Sequence, residues 1–373
     1  MAQRPRVLLL IPHLGGGGAE RVTALLARSL SREKYELHLG LITEARYPAN
    51  GLPPSLTVHG LGSSRVRSGA FRLLQLVRRL KPDLILSGMF HLNFLVLLLR
   101  PFFPSRTRVL VRQNGTASST LGVLPVYTRF LYRFLYPRAD RVLCQTRAMA
   151  QDLAHQFGLK KDRLIVLPNP VDFEETRDCV VARPGLWTGP GPHLLAVGRL
   201  SREKGFDLLL QALASVRGQF PSADLLITGA GPEQSALRAQ CRALRLETAV
   251  RFAGLVAHPW SYFPEATLFV LPSRHEGLPN ALLEAAAGGL PLVALPSSEG
   301  VVGLLRGQPG VWLAPEASAE ALAASLLAAL QTLRPGERFA HSFVEQFRID
   351  RAVLAYEHLI DETLHRAIPE KQP

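Results

Sequence analysis

Cysteine is scarce in this 373-residue chain, and the three present, Cys144, Cys179 and Cys241, are an odd, scattered set with no metal-ligand spacing. A disulfide framework and a zinc site are therefore excluded as the basis of the fold, and a reducing, cytoplasmic setting is expected. Long hydrophobic runs are missing too. The most apolar stretch, Leu84 to Leu99, is interrupted by Ser87, His91 and Asn93. It falls short of the ~20 residues a membrane-spanning helix needs, so it reads as a buried strand followed by a core helix. The run Val7 to Ile11 is short and leads into glycines, which argues against a signal peptide. Solenoid-period repeats, low-complexity segments and an Asp-x-Asp metal element are absent from the sequence. With 47% hydrophobic and 20% charged residues, the composition excludes a disordered chain, and the length suits two domains.

Acidic residues are sparse in one half only. Met1 to Asp172 holds 25 Lys plus Arg against 9 Asp plus Glu, a net of +16, while the remainder holds 18 against 21, a net of −3. A negatively charged partner is expected on the N-terminal side.

Short apolar runs alternate with helical patterns along the chain, which predicts parallel sheets with crossover helices. The first half offers strands at Val7–Ile11, Glu36–Leu41, Thr57–His59, Leu84–Ser87, Val109–Arg112, Val142–Cys144 and Leu164–Leu167. The second offers Leu194–Val197, Leu225–Thr228, Val250–Phe252, Leu268–Leu271 and Leu292–Leu295. The fold class is α/β, with two doubly wound parallel-sheet domains. The stiff exit Pro168-Asn169-Pro170-Val171-Asp172 sets the boundary near residue 172, so domains are expected over 1–172 and 173–342, with Arg183 to Pro192 as a loop. A helical tail follows over 343–373, with apolar spacing through Phe347, Val353, Tyr356 and Ile360.

The most telling segment is Glu276-Gly277-Leu278-Pro279-Asn280-Ala281-Leu282-Leu283-Glu284, two carboxylates eight positions apart across a strand end and a helix start. Main-chain N–H groups of Gly277, Leu278 and Asn280, around the turn-forming Pro279, suit a phosphate, and carboxylates suit the hydroxyls of a ribose or a sugar. A ligand carrying both is a nucleotide sugar. Three further segments sit at strand ends, where doubly wound sheets bind ligands: Gly198-Arg199-Leu200 with Glu203-Lys204-Gly205, Gly229-Ala230-Gly231-Pro232-Glu233, and Gly15-Gly16-Gly17-Gly18. The last does not keep the spacing of a dinucleotide fingerprint, and is read as a cleft wall closing over the donor phosphate.

Taken in order, these motifs resemble the retaining glycosyltransferases with two Rossmann-like domains, family 4 of the GT-B superfamily, and the resemblance spans nearly the whole chain. It implies two domains facing a cleft, with a tail that crosses back to the first. It also implies that Arg199 and Lys204 neutralise the departing diphosphate, that Glu276 contacts the donor sugar, and that Glu284 holds the ribose. Phe252 and Gly254 stand where the family receives the nucleobase through the main chain. No cofactor or metal ion is expected. The family often carries a histidine after the strand Val109–Arg112, where this chain has Gln113-Asn114-Gly115. His13, His91, Gln113 and Asn114 are the alternatives near the acceptor. The implied activity is transfer from a nucleotide sugar, with UDP preferred, to a hydroxyl of a lipid-linked saccharide or glycolipid in polysaccharide or lipopolysaccharide synthesis. The rival readings are a two-domain sugar-nucleotide 2-epimerase and a non-catalytic nucleotide-sugar-binding subunit.

Basic residues from Arg65 to Lys81 alternate with Phe71, Leu73, Leu76 and Val77, and Tyr127 to Arg138 mixes aromatic rings with arginines. The first reads as a basic amphipathic helix. Both fit peripheral attachment to an anionic membrane at its cytoplasmic face. Nucleic acid is not expected, because no recognition module accompanies the charge.

Overall fold

The computed structural model describes residues 3–15, 17–43, 52–117, 127–177, 187 and 189–365. Gly16, from the N-terminal glycine loop, and half of the expected loop Arg183 to Pro192 lie outside them. Thirteen parallel strands are described: β1 Arg6–Ile11, β2 Glu36–Thr43, β3 Thr57–Ser63, β4 Leu84–Ser87, β5 Arg108–Gln113, β6 Arg141–Cys144, β7 Leu164–Val166, β8 His193–Val197, β9 Asp224–Thr228, β10 Val250–Gly254, β11 Leu268–Leu271, β12 Leu292–Ala294 and β13 Val311–Leu313.

The chain divides into two compact units, one built from the chain up to Pro170 together with Ile349 onward, the other from Val171–Arg348. In the first, seven strands run in the order β3-β2-β1-β4-β5-β6-β7; in the second, six run in the order β10-β9-β8-β11-β12-β13. Both sheets are the doubly wound α/β design expected. In each, winding starts at a central strand and reverses, which leaves a switch point between β1 and β4 and another between β8 and β11.

Strands covered on both faces read as unbroken apolar runs. Leu8, Leu9 and Leu10 of β1 are fully buried, each contributing about 1.5–3 kcal/mol through removal from water. Helices pack on both faces: one layer around Leu73, Leu92 and Tyr132, the other around Val22, Leu26 and Tyr356. Several helix starts are fixed locally. Thr146, Ser298 and Ser318 accept from the N–H groups of Met149, Val301 and Ala321.

Three expectations need correction. Strand β13, a short apolar run of three half-buried residues, escaped sequence reading. Phe343 and Phe347, expected in the returning tail, are buried in the core of the second unit, and only the helix Ile349–His365 belongs to the first. The helix Ala70–Leu80 points Leu73, Leu76 and Val77 into its own core, so its apolar face is spent on folding.

Candidate functional site

In the second unit, the sequence motifs converge on the carboxyl ends of β8, β9, β10 and β11. Backbone bonds stitch the first three ends together. Gly198 N–H donates to Thr228 O (3.0 Å), Leu200 N–H to Ala230 O (3.1 Å), Glu233 N–H to Leu200 O (2.9 Å) and Gly229 N–H to Gly254 O (2.7 Å). Glycine is required for this closeness. At Gly229, with φ +138°, a Cβ would lie 1.8 Å from Gly198 O, and at Gly231 one would lie 2.2 Å from Leu200 O.

Across the switch point, Lys204 and Glu276 meet. Lys204 ends the turn Arg202–Lys204 after β8, and Glu276 lies in the loop after β11. Lys204 Nζ donates to Glu276 Oε1 at 2.6 Å, and Ser273 Oγ donates to the same oxygen at 2.8 Å. Glu276 N–H donates to Ser297 O at 3.3 Å, which ties the loop to the end of β12. Glu276 is mostly sheltered, with its side chain 9% exposed, whereas Lys204 is 27% exposed. Arg199, in the loop after β8, is exposed.

Arg274, which sequence reading missed, braces this arrangement. Its Nη1 and Nη2 donate to Asp207 Oδ1 and Oδ2, both at 2.6 Å. Its Nη1 also donates to Arg202 O at 3.0 Å, and its N–H to Glu203 O at 2.8 Å. Partial burial alone would raise the Asp207 carboxyl, but the Arg274 fork and the N–H groups of residues 207 and 208 outweigh it, and the group sits below its ordinary 3.8. No spacing rule predicts the Arg274 fork, because it depends on β8 and β11 being neighbours.

Among the other expected residues, Pro279 opens the helix Asn280–Ala287 as its N-cap, and Glu284 is buried on that helix. Gly277 is half-buried, and Leu278 packs against the second unit's core. Phe252 is half-buried and carries Arg238 over its ring at 4.8 Å.

In the first unit, His13 follows β1 at the other switch point, and Asn114 follows β5, one strand further along the sheet. His13 Nδ1 accepts from Gly15 N–H at 2.9 Å and lies 3.8 Å from the buried Glu20 carboxylate. Asn114 donates to Gly88 O and accepts from Gln145 Nε2 at 3.1 Å. His91 sits in the first turn of the helix Phe90–Leu99, edge-on to Phe90. Gln113 is a correction. It is buried, with Nε2 donating to Gly115 O (2.9 Å) and Tyr132 Oη (3.1 Å), and Oε1 accepting from Tyr136 Oη (2.7 Å). Its amide is spent inside the fold. Burial pushes the Tyr132 and Tyr136 hydroxyls up, which keeps both as neutral donors to this network.

Two family models match the chain: Glycosyltransferase Family 4 over residues 16–175 and Glycosyl transferases group 1 over 191–332. A Campylobacter jejuni N-acetylgalactosamine-N,N'-diacetylbacillosaminyl-diphospho-undecaprenol 4-alpha-N-acetylgalactosaminyltransferase is 28% identical over 75% of this chain and 77% of its own length. The lipopolysaccharide core biosynthesis glycosyltransferase LpsE of Rhizobium meliloti is 27% identical over 93% of this chain and 97% of its own. The crystal structure of Anabaena HepE with UDP and glucose superposes with a TM-score of 0.83 at 18% identity, over 96% of this chain and 100% of that one. The fold is that of the GT-B enzymes, and the chain, matched in both units, belongs to glycosyltransferase family 4 and is a glycosyltransferase.

Proposed function

We propose that the protein is a retaining glycosyltransferase that moves a sugar from a UDP-linked donor to a hydroxyl of a lipid-linked saccharide. The pairing of Lys204 with Glu276 at the second sheet's switch point carries this reading. A cation and a sheltered carboxylate side by side suit the two ends of a nucleotide sugar: diphosphate on Lys204 and Arg199, sugar hydroxyls on Glu276. Glu284 takes the ribose hydroxyls, and the ends of β9 and β10, at Gly229 and Gly254, take the nucleobase. Main-chain groups from Gly277 to Asn280 line the phosphate side.

In the transfer, the acceptor oxygen attacks the anomeric carbon on the face that the diphosphate leaves. The carbon–oxygen bond to the diphosphate breaks, and the acceptor's proton passes to the departing phosphate oxygen. Cationic side chains where negative charge develops lower the barrier, and with two of them the reading calls for no metal ion. His13, His91 and Asn114, which follow β1, β4 and β5, are assigned to acceptor hydroxyls.

UDP is supported by the bound UDP and glucose of the HepE crystal. A lipid-linked acceptor, and a place in polysaccharide or lipopolysaccharide assembly, are supported by the diphospho-undecaprenol acceptor of the Campylobacter relative and the core biosynthesis role of LpsE. No helix among the described residues is long and apolar enough to cross a membrane. Such an acceptor is met by peripheral attachment at the cytoplasmic face.

The test is transfer from a panel of UDP- and GDP-sugars to a polyprenyl-diphosphate-linked saccharide, with the product's anomeric configuration read by NMR. A product of retained configuration from a UDP-sugar is expected. Inversion, or conversion of the donor without acceptor, would overturn the reading.

A further inference from the structure

Six large apolar side chains project from one side of the first unit: Phe71, Leu98, Phe102, Tyr127, Phe130 and Phe134, each between 55% and 68% exposed. They lie on the helices Ala70–Leu80, Phe90–Leu99 and Tyr127–Leu135 and on the turn Arg100–Phe102. The inner faces of the three helices share one core, so the six residues decorate the outside of a single layer. The remaining large exposed apolar residues among those described, Val58, Val166, Leu255 and Leu354, are scattered over four separate segments. A clustered apolar surface with basic neighbours marks an interaction site, whereas scattered residues do not.

On the third helix, Tyr127, Phe130 and Phe134 recur at i, i+3 and i+7 and form one stripe. The Phe130 and Phe134 rings are parallel, with centroids 6.4 Å apart, and exposed Arg129 and Arg133 flank them. From Ala45 to Ala139 the sequence contains 14 Lys plus Arg and a single acid, Asp83. That acid accepts from Arg6 N–H at 2.8 Å and lies 3.6 Å from Arg106. The layer's outer side is therefore apolar and positive at once.

We propose that this face docks the protein on an anionic bilayer by inserting the Phe130 and Phe134 rings below the headgroups while Arg129 and Arg133 bind lipid phosphates. The basic helix Ala70–Leu80 does not lie in the interface as an amphipathic helix, since its apolar side is in the core; it adds the exposed Phe71 and its cations to the same layer. Exposed rings flanked by exposed arginines match the layering of a membrane interface, where acyl chains lie beneath phosphates. The proposal rests on the reading of a lipid-linked acceptor, which would lie in the same bilayer.

The test is sedimentation of the full chain with vesicles of phosphatidylcholine alone or with about 30% phosphatidylglycerol, a level that gives a strongly anionic surface. Binding to the anionic vesicles is expected. Phe130→Ser with Phe134→Ser should lower partitioning about tenfold at both low and high salt. Arg129→Gln with Arg133→Gln should lower it mainly at low salt. A Phe130→Trp variant supplies a readout that survives any folding defect in the serine variants: its fluorescence should shift blue and be quenched by brominated lipid. Wild-type vesicle binding with no blue shift would overturn insertion, and binding of single-stranded RNA in place of vesicles would overturn the membrane as partner. Transfer to a water-soluble acceptor analogue is measured in parallel. Docking without transfer would sink the acceptor reading alone, and transfer without docking would sink this proposal alone.

Discussion

Lys204 and Glu276, 72 residues apart in sequence, share a 2.6 Å hydrogen bond because β8 and β11 are neighbours across the reversal of the second sheet. Glu276→Ala should therefore act on the sugar end of the site and free Lys204 at the phosphate end. We expect kcat to fall roughly 100-fold, the scale of losing one preorganised polar contact, with UDP affinity held within about threefold. Combined with Lys204→Ala, the losses should fall short of additive, as for any pair in direct contact. Kinetics beside calorimetric titration of UDP would check both; equal losses of affinity and turnover would move Glu276 to the ribose.

Arg274 is a positioning residue in this scheme. Arg274→Lys cannot reproduce the two-pronged contact to Asp207, so the loop carrying Glu276 should lose its register against Lys204. A kcat loss of about 10- to 100-fold is expected, as for small misplacements of reacting groups, with stability lowered by only about 1 kcal/mol because the pair is solvent-screened. A kcat loss with KM for the donor little changed separates this role from simple destabilisation.

The Asp207 carboxyl, held below its ordinary 3.8, sets a direction for acid sensitivity. The unfolded chain binds its proton more readily, so the stabilisation is complete above pH 3.8 and is lost as pH falls through the lower folded-state value. Thermal melts in the acid range should show Asp207→Asn as less pH-dependent than the parent in the second unit's transition. Parallel curves would refute the assignment.

Gly229 and Gly254 both have positive φ, yet only Gly229 faces a backbone wall. Gly229→Ala should push Gly198 and Arg199 aside and cost about 3 kcal/mol or more, together with UDP affinity. Gly254→Ala, with open space beside it, should cost about 1 kcal/mol, the ordinary penalty of a left-handed alanine. Thermal melts with and without UDP distinguish them.

Tyr136→Phe removes the hydroxyl that donates to Gln113 Oε1 at 2.7 Å. A stability loss of about 1–3 kcal/mol is expected from the stranded buried amide, with KM for donor and acceptor unchanged. A selective acceptor defect would return Gln113 to the substrate site.

Much of this molecule was legible in the sequence. Buried parallel strands such as β1 and β11 announce themselves as apolar runs, and glycines at strand ends mark where chain segments crowd. Sequence order also revealed that Lys204, Glu276 and Glu284 belong to one half of the protein. It did not reveal that Lys204 and Glu276 touch, since that contact is made by the lateral order of strands. Arg274 was invisible for the same reason. Gln113 was misread because a polar residue after a strand looks the same whether it faces a ligand or, as here, two buried tyrosines.

The course of the chain also orders its assembly. Leaving the first unit at Pro170 and re-entering it at Ile349, the two crossings pair where Val171 N–H donates to Phe347 O at 2.7 Å. The final helix then supplies Tyr356 and Ile360 to the first unit's core, and its Glu357 carboxylate accepts from Lys34 Nζ at 2.7 Å and Ser31 N–H at 2.9 Å. The buried Arg112 joins Asn169 and lies beside the Tyr356 hydroxyl. During synthesis, the second unit is a continuous stretch that can close before the helix Ile349–His365 is made. The first unit must wait with an open face for the helix Ile349–His365, which is made after the whole second unit.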